Sequence, residues 1–219
     1  MNKLITGFIL LASAAGFAMA GGDASAGKTK AAACVACHGQ GGNSMVPTFP
    51  KLASQNERYL VKQMHDIKCG FLSVAEQKAQ KCNGRSVPQM AGQLDSLSDQ
   101  DMADIAAFFA SQPVGAAQAK PELVAKGEEI YRAGIRSKGI AACSACHSPT
   151  GSGNGPAGFP HLGGQHADYV AAQLKAFRAA ADGRPGRTND GDTRFMRDVA
   201  KLLSDSEIEA VASYISGLH

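Results

Sequence analysis

"CVACH" at residues 34–38 and "CSACH" at residues 143–147 are nearly the same pentapeptide, written twice 109 residues apart. The repetition extends outward from each copy. Phe49-Pro50 matches Phe159-Pro160, and Tyr59 and Gln63 match Tyr169 and Gln173, all at a spacing of 110. "LSDQDMADIAAFF", from Leu97, matches "LSDSEIEAVASYI", from Leu203, at a spacing of 106. Matches that keep their order while the spacing drifts by a few residues point to one duplicated domain. Each unit is too long for a solenoid repeat.

The duplicated unit has a helical pattern. Ser98-x-x-Asp101 and Ser204-x-x-Glu207 are capping signatures: the serine oxygen accepts from an early helix amide, and an acid suits the first turn. Met102, Ile105, Ala106 and Phe109 follow the first, and Ile208, Val211, Ala212 and Ile215 the second, both at the spacing of one helical face. Further helices are expected over Ala24 to Ala33, Asn56 to about Lys68, Glu122 to Ala133 and His166 to about Ala181. No stretch alternates convincingly as a strand. "QPVGAAQAKP", Gln112 to Pro121, has the prolines and small residues of a linker. The expected architecture is all-α, with domains at residues 21–111 and 122–219 joined by residues 112–121.

Residues 1–20, "MNKLITGFILLASAAGFAMA", have a charged start, an apolar run from Leu4 to Ala18 and small residues at the end. They are expected to be a secretory signal; the competing reading is an uncleaved membrane tether. The run is short for a membrane span, which needs roughly 20 residues. The whole chain carries a net charge of +3, or +2 without Lys3, and each half carries +1 when it is divided just before Lys120. No basic patch for nucleic acid appears. With nine Phe, four Tyr and no Trp, two domains of about 100 residues have barely enough apolar area for a core. A bound group would fill that interior.

Cys-x-x-Cys-His serves several chemistries. A redox dithiol wants a β-α-β context, which the pattern lacks. Zinc needs four ligands, and two Cys and one His per half fall one short. Iron–sulfur clusters usually take four thiolates. Covalent haem attachment needs what is present: Cys34 and Cys37, or Cys143 and Cys146, to add to two vinyl groups, and His38 or His147 to ligate the iron. Two haem c groups are therefore expected.

The iron's remaining axial position separates catalysis from electron transfer. Beyond the linker the methionine is Met196, 49 residues after His147. Its counterpart at a spacing of 106 is Met90, 52 residues after His38. Both precede the final capped helix of their half. Met45, Met64 and Met102 lack a methionine partner in the other half, and His161, His166 and His65 align with Lys51, Asn56 and Lys175. Met90 and Met196 are thus the expected distal ligands, with bis-histidine ligation as the rival. A neutral thioether favours ferrous iron and raises the potential, which suits a carrier.

The chain resembles the dihaem cytochrome c4 family, a tandem of class I cytochrome c domains. The resemblance rests on CVACH and CSACH, "VPTFPKLA" and "PAGFPHLGGQ", Met90 and Met196, and the two "LSD" helix starts, and it spans nearly all the chain beyond residue 20. It implies Pro47 and Pro156 in the loop beneath the histidines, where a carbonyl would accept from the imidazole N–H. It also implies periplasmic transfer of single electrons from a quinol-oxidising complex or other donor towards a haem–copper terminal oxidase. Peripheral membrane association is compatible with it.

One stretch departs from the family pattern. "CGFLSVAEQKAQKC", Cys69 to Cys82, lies between the middle helix and Met90 and makes this span four residues longer than its counterpart. In an exported chain a disulfide between Cys69 and Cys82 is expected, worth roughly 3 kcal/mol in the chain-entropy account. The leading function is an electron carrier without substrate chemistry. The competitors are a dihaem enzyme, such as a peroxidase or thiosulfate dehydrogenase, and the electron-accepting subunit of one.

Overall fold

A computed structural model describes residues 21–219; the expected signal at residues 1–20 lies outside the described residues. The first half contains α1 (Ala24–Lys30), α2 (Val35–His38), α3 (Glu57–Gly70), α4 (Val74–Ala79) and α5 (Asp99–Ala110). The second contains α6 (Pro121–Ala133), α7 (Ser144–His147), α8 (Ala167–Ala181), α9 (Phe195–Lys201) and α10 (Asp205–Ser216). Among the described residues the extended pairing is confined to two isolated bridges, Ile135 with Ile140 and Asn154 with Phe159. None of the described helices is long and apolar enough to cross a membrane.

Each half is organised by the crossing of its first and last helices. Ser98 and Asp101 form a reciprocal capping box at the start of α5, and Ser204 and Glu207 do the same for α10. The box satisfies amide donors that a helix start would otherwise leave orphaned. The apolar faces of these helices supply the cores, with Ile105, Ala106 and Phe109 in one half and Ile208, Val211 and Ile215 in the other. Helix α1 lies across α5, and α6 across α10. Each crossing is made at a glycine. A methyl group on Gly27 would stand 1.9 Å from the Asp104 carbonyl oxygen, and one on Gly127 would stand 2.3 Å from the Ala210 carbonyl oxygen. One turn further on, Ala31 and Tyr131 occupy equivalent, fully buried positions.

The middle helices complete each core: α3 packs on α5, and α8 packs on α10 and α9. The loops leading into them close by matching bonds. Leu52 N donates to Gly42 O and Ser54 N to Phe109 O; Leu162 N donates to Gly151 O and Gly164 N to Ile215 O.

Two helices lie outside the sequence expectation. Helix α4 opens with a capping box of Ser73 and Glu76. Helix α9 follows Arg194, whose φ of 54° is left-handed, and has no side-chain cap. The segment between α5 and α10's half is no free tether. Asn43 and Ser54 bind its start at Pro113, Val114 and Gly115, while Ser213 and Ser216 bind its end at Lys120 and Gln118.

Candidate haem-binding and interdomain site

Each Cys-x-x-Cys-His forms one helical turn, so the two sulfurs and the imidazole issue from neighbouring positions of a short helix. The cysteines are unpaired: Cys34 and Cys143 are half-buried, and Cys37 and Cys146 are exposed. Burial pushes the Cys34 thiol up, and the Cys143 thiol to about 11. That direction is opposite to the depressed value of a redox-active dithiol. Among the described residues no three His, Cys, Asp or Glu side chains group to hold a bare metal ion.

His38 and His147 are buried, and burial pushes both imidazoles down, towards the neutral form. Their Nδ1 atoms donate to carbonyl oxygens, His38 to Pro50 at 2.9 Å and His147 to Pro160 at 3.1 Å. A carbonyl can only accept, so the proton sits on Nδ1 and the lone pair on Nε2 is left for an iron. The expectation of Pro47 and Pro156 in this role is corrected. Pro47 is exposed, and the Pro156 carbonyl accepts from Arg58 instead. The loop's return leg, tied at Leu52 and Leu162, is what brings Pro50 and Pro160 against the rings. Phe49 and Phe159 stand edge-on to the same imidazoles, with centroids 6.4 and 6.1 Å away.

Met90 ends a short 3-10 turn, Pro88–Met90, and Met196 is the second residue of α9; both are half-buried. The rival histidines have other engagements. His161 Nε2 donates to Gly163 O and His166 Nε2 to Ser44 O, each at 2.9 Å, while exposed His65 faces Asp99. Cys69 and Cys82 are joined as a disulfide, with Cα atoms 6.3 Å apart.

The contact between the halves escaped the sequence reading. It is built twice, by equivalent residues. The Gln55 side chain donates to His161 O and accepts from His161 N, both at 2.8 Å. The Gln165 side chain brackets Lys51 in the same way, at 2.8 and 2.9 Å. Deeper in, Arg85 donates to the Tyr169 hydroxyl and Arg187 to the Tyr59 hydroxyl. Both guanidiniums also bind Gln63 and Gln173. The arginines are equivalent, since Arg85 N donates to Asp66 O and Arg187 N to Ala176 O, carbonyls 110 residues apart. Asp66 is the carboxylate hydrogen-bonded into the cluster, and Lys62 pairs with it directly. Positive charge is therefore in surplus. It shows at Tyr59, where burial raises the hydroxyl pKa but Arg187 and Arg85 outweigh burial and the net direction is down. The signal in the sequence was Gly84-Arg85 against Gly186-Arg187, at a spacing of 102.

The family profile described as Cytochrome c matches residues 24–113 and again 124–219. The chain is 53% identical over 219 residues to a cytochrome c4 of Pseudomonas aeruginosa, covering all of both chains. A crystal structure of reduced recombinant cytochrome c4 from Pseudomonas stutzeri is 54% identical and superposes with a TM-score of 0.83 over 90% of this chain and 100% of that one. A thiosulfate dehydrogenase electron acceptor from Stutzerimonas stutzeri is more distant, at 33% identity over 86% of this chain and 80% of its own.

Proposed function

We propose a function on one premise: this chain belongs to the cytochrome c4 family, two cytochrome c domains in tandem. It is an electron-transfer protein of that family, and cytochrome c domains imply covalently bound haem c. The finer reading is a periplasmic carrier of single electrons that performs no substrate chemistry, passing them from a quinol-oxidising complex or other donor towards a haem–copper oxidase. Cys34 and Cys37, and Cys143 and Cys146, would hold one haem c each. His38 and Met90, and His147 and Met196, would be the axial ligands. The domains run over residues 21–111 and 122–219, with residues 112–121 between them.

The observation that carries this is the pair of imidazoles, each with Nδ1–H held by a proline carbonyl and Nε2 left free. Haem, when bound, supplies the ferric–ferrous couple. The chain's own part is orientation and closure. The Pro50 and Pro160 carbonyls fix the tautomer and the ring plane, as outer partners of a ligating histidine do. The surplus of buried guanidinium charge fits a group that brings carboxylates, as a haem's propionates would. With Met90 and Met196 as ligands, neither iron would keep a position for peroxide or thiosulfate.

Denaturing mass spectrometry should show two covalent haem masses. An anaerobic spectral titration should show two His/Met haems, with the weak red-edge band of ferric Met ligation halved in Met90→Ala or in Met196→Ala and absent from the double variant. Sustained turnover of peroxide or thiosulfate by the purified chain would replace the carrier with the enzyme reading. The distant electron-acceptor relative favours a second reading, a dedicated acceptor bound to a thiosulfate-oxidising enzyme. Affinity capture from periplasm separates that from a free carrier.

A further inference from the structure

The two halves hold their methionine loops by different means. In each, the chain leaves the middle helix, passes a common anchor and runs on to the methionine. The anchor is the backbone bond of Arg85 to Asp66 O at 2.7 Å, or of Arg187 to Ala176 O at 3.0 Å. Beyond it the halves diverge. In the second half Asn189 donates to Gln63 and Asp66, across the domain contact. Asp190 then accepts from Arg197 Nε at 2.7 Å and from Arg197 N at 3.0 Å, a pair with only 6% and 12% of its side chains exposed. Arg197 Nη2 also donates to Gly191 O, and Thr193 to Asp190 O. Arg197 adjoins Met196, so this lattice grips the loop at the ligand itself.

The first half has no such side-chain lattice between its anchor and the methionine; its next side-chain ties, from Lys68 to the Asp95 and Leu97 carbonyls, lie beyond Met90. Among the described residues, the side chains of Ser86, Val87 and Gln89 make no hydrogen bond, and Met90 is tied through its backbone alone, its N–H to Val87 O at 2.8 Å and its carbonyl accepting from Gln93 N at 3.1 Å. The extra tie lies before the anchor. The Cys69–Cys82 disulfide fastens the loop's start to the last turn of α3, three residues ahead of Arg85 and eight ahead of Met90. Arg85 in turn reaches Gln63, Tyr169 and Gln173.

We propose that the Cys69–Cys82 disulfide is a positioning bond for the first domain's methionine loop, standing in for the Asp190–Arg197 lattice of the second. It confines the strand from Cys82 to Arg85 so that the short, otherwise untied run to Met90 has one conformation. Opening the disulfide loosens that loop alone and makes the first iron's distal side exchangeable, while the second stays closed. The step from loop to iron rests on Met90 being the first domain's ligand.

The test uses the full-length haem-loaded protein. Amide hydrogen exchange across residues 82–90 and 186–196 is compared in the parent and in Cys69→Ala/Cys82→Ala, with imidazole binding to the ferric protein measured alongside. The variant should exchange about tenfold faster over 82–90 through local opening, and about tenfold tighter imidazole binding should appear at one haem of the two. Residues 186–196 should be unchanged. Asp190→Asn should give the mirror result, confined to the second half. Unchanged exchange over 82–90 overturns the proposal, and so does loosening spread evenly over both loops. Faster exchange with unchanged imidazole binding overturns the step from loop to ligand. If Met90→Ala also leaves imidazole binding untouched, it is the ligand assignment that fails. Should the double variant not fold, the intact ferrous protein is treated with a phosphine reductant and exposed to carbon monoxide. Uptake at one haem supports the proposal, and no uptake beyond that of the disulfide-bonded ferrous protein overturns it.

Discussion

Arg85 and Arg187 donate to the same two oxygens. Oε1 of Gln63 accepts from Arg85 at 2.8 Å and from Arg187 at 3.0 Å, and Oε1 of Gln173 accepts from Arg85 at 2.9 Å and from Arg187 at 3.0 Å. Two like charges are held side by side by neutral acceptors, an arrangement that raises the potential on both sides of the domain contact at once. Removing one charge should therefore be felt by both halves. Arg187→Gln is expected to lower both haem potentials, because less positive charge makes each ferric state easier to hold. A spectral redox titration that moved only the second domain's haem would contradict a shared charge pair.

Gln55 and Gln165 between them make four hydrogen bonds to backbone of the opposite half. At about 1 kcal/mol net for each bond, Gln55→Ala/Gln165→Ala should weaken domain coupling by about 4 kcal/mol. Calorimetry of the haem-loaded protein should then show one thermal transition become two. A single transition in the double variant would mean that the halves are coupled elsewhere.

Lys30 pairs with both Asp101 and Asp104 where α1 crosses α5. The ammonium holds the Asp104 carboxyl down, from the usual 3.8 to about 2, with help from the Asp23 amide and Gln100. A carboxyl lowered by folding stabilises fully above its ordinary value and loses that contribution as pH falls through its folded value. Lys30→Gln should thus be less stable than the parent from neutral pH down to about 4. The gap should narrow as pH falls below about 4 through the Asp104 value near 2, and the last of it should go lower still, with Asp101. Urea unfolding of the first domain at stepped pH measures it, and a gap that widened on acidification would refute the assignment.

Tyr131 is buried completely, and its hydroxyl donates to Ser148 O at 2.7 Å, one residue beyond His147. Tyr131→Phe keeps the ring and leaves that carbonyl without its donor. A loss of about 1–2 kcal/mol is expected, confined to the second domain because Ala31 occupies the equivalent place in the first. Site-resolved hydrogen exchange should show it over α6 and α7 and not over α1 and α2.

The long capped helices and the Cys-x-x-Cys-His turns were legible because each is local. A serine three residues before an acid and a 3.6-residue apolar rhythm need no knowledge of the rest of the fold. Ser73-x-x-Glu76 carries the same capping signal, but the six residues of α4 bury no side chain, so no apolar rhythm follows the cap. Helix α9 was hidden for a physical reason: seven residues, entered from a left-handed Arg194, are stabilised by packing on α8 and by the Asp190–Arg197 pair rather than by their own pattern. That Pro50 and not Pro47 meets His38 is set by the folded loop, which alone decides which carbonyl faces the imidazole. The domain contact was hidden likewise, since Gln55 brackets a backbone 106 residues away.

The twin glutamine brackets have an evolutionary consequence. A contact made twice by equivalent residues has the form of a symmetric homodimer, in which every substitution strikes both sides together. Fusing two copies into one chain ends that constraint. A change in one copy then meets an unaltered partner, and its cost is halved. The copies could drift apart in their interiors, Ala31 against Tyr131 and a disulfide against an ion pair, while the paired face stayed in register. In this chain the interiors differ while the paired face keeps its register, so the face is where the two halves remain most alike.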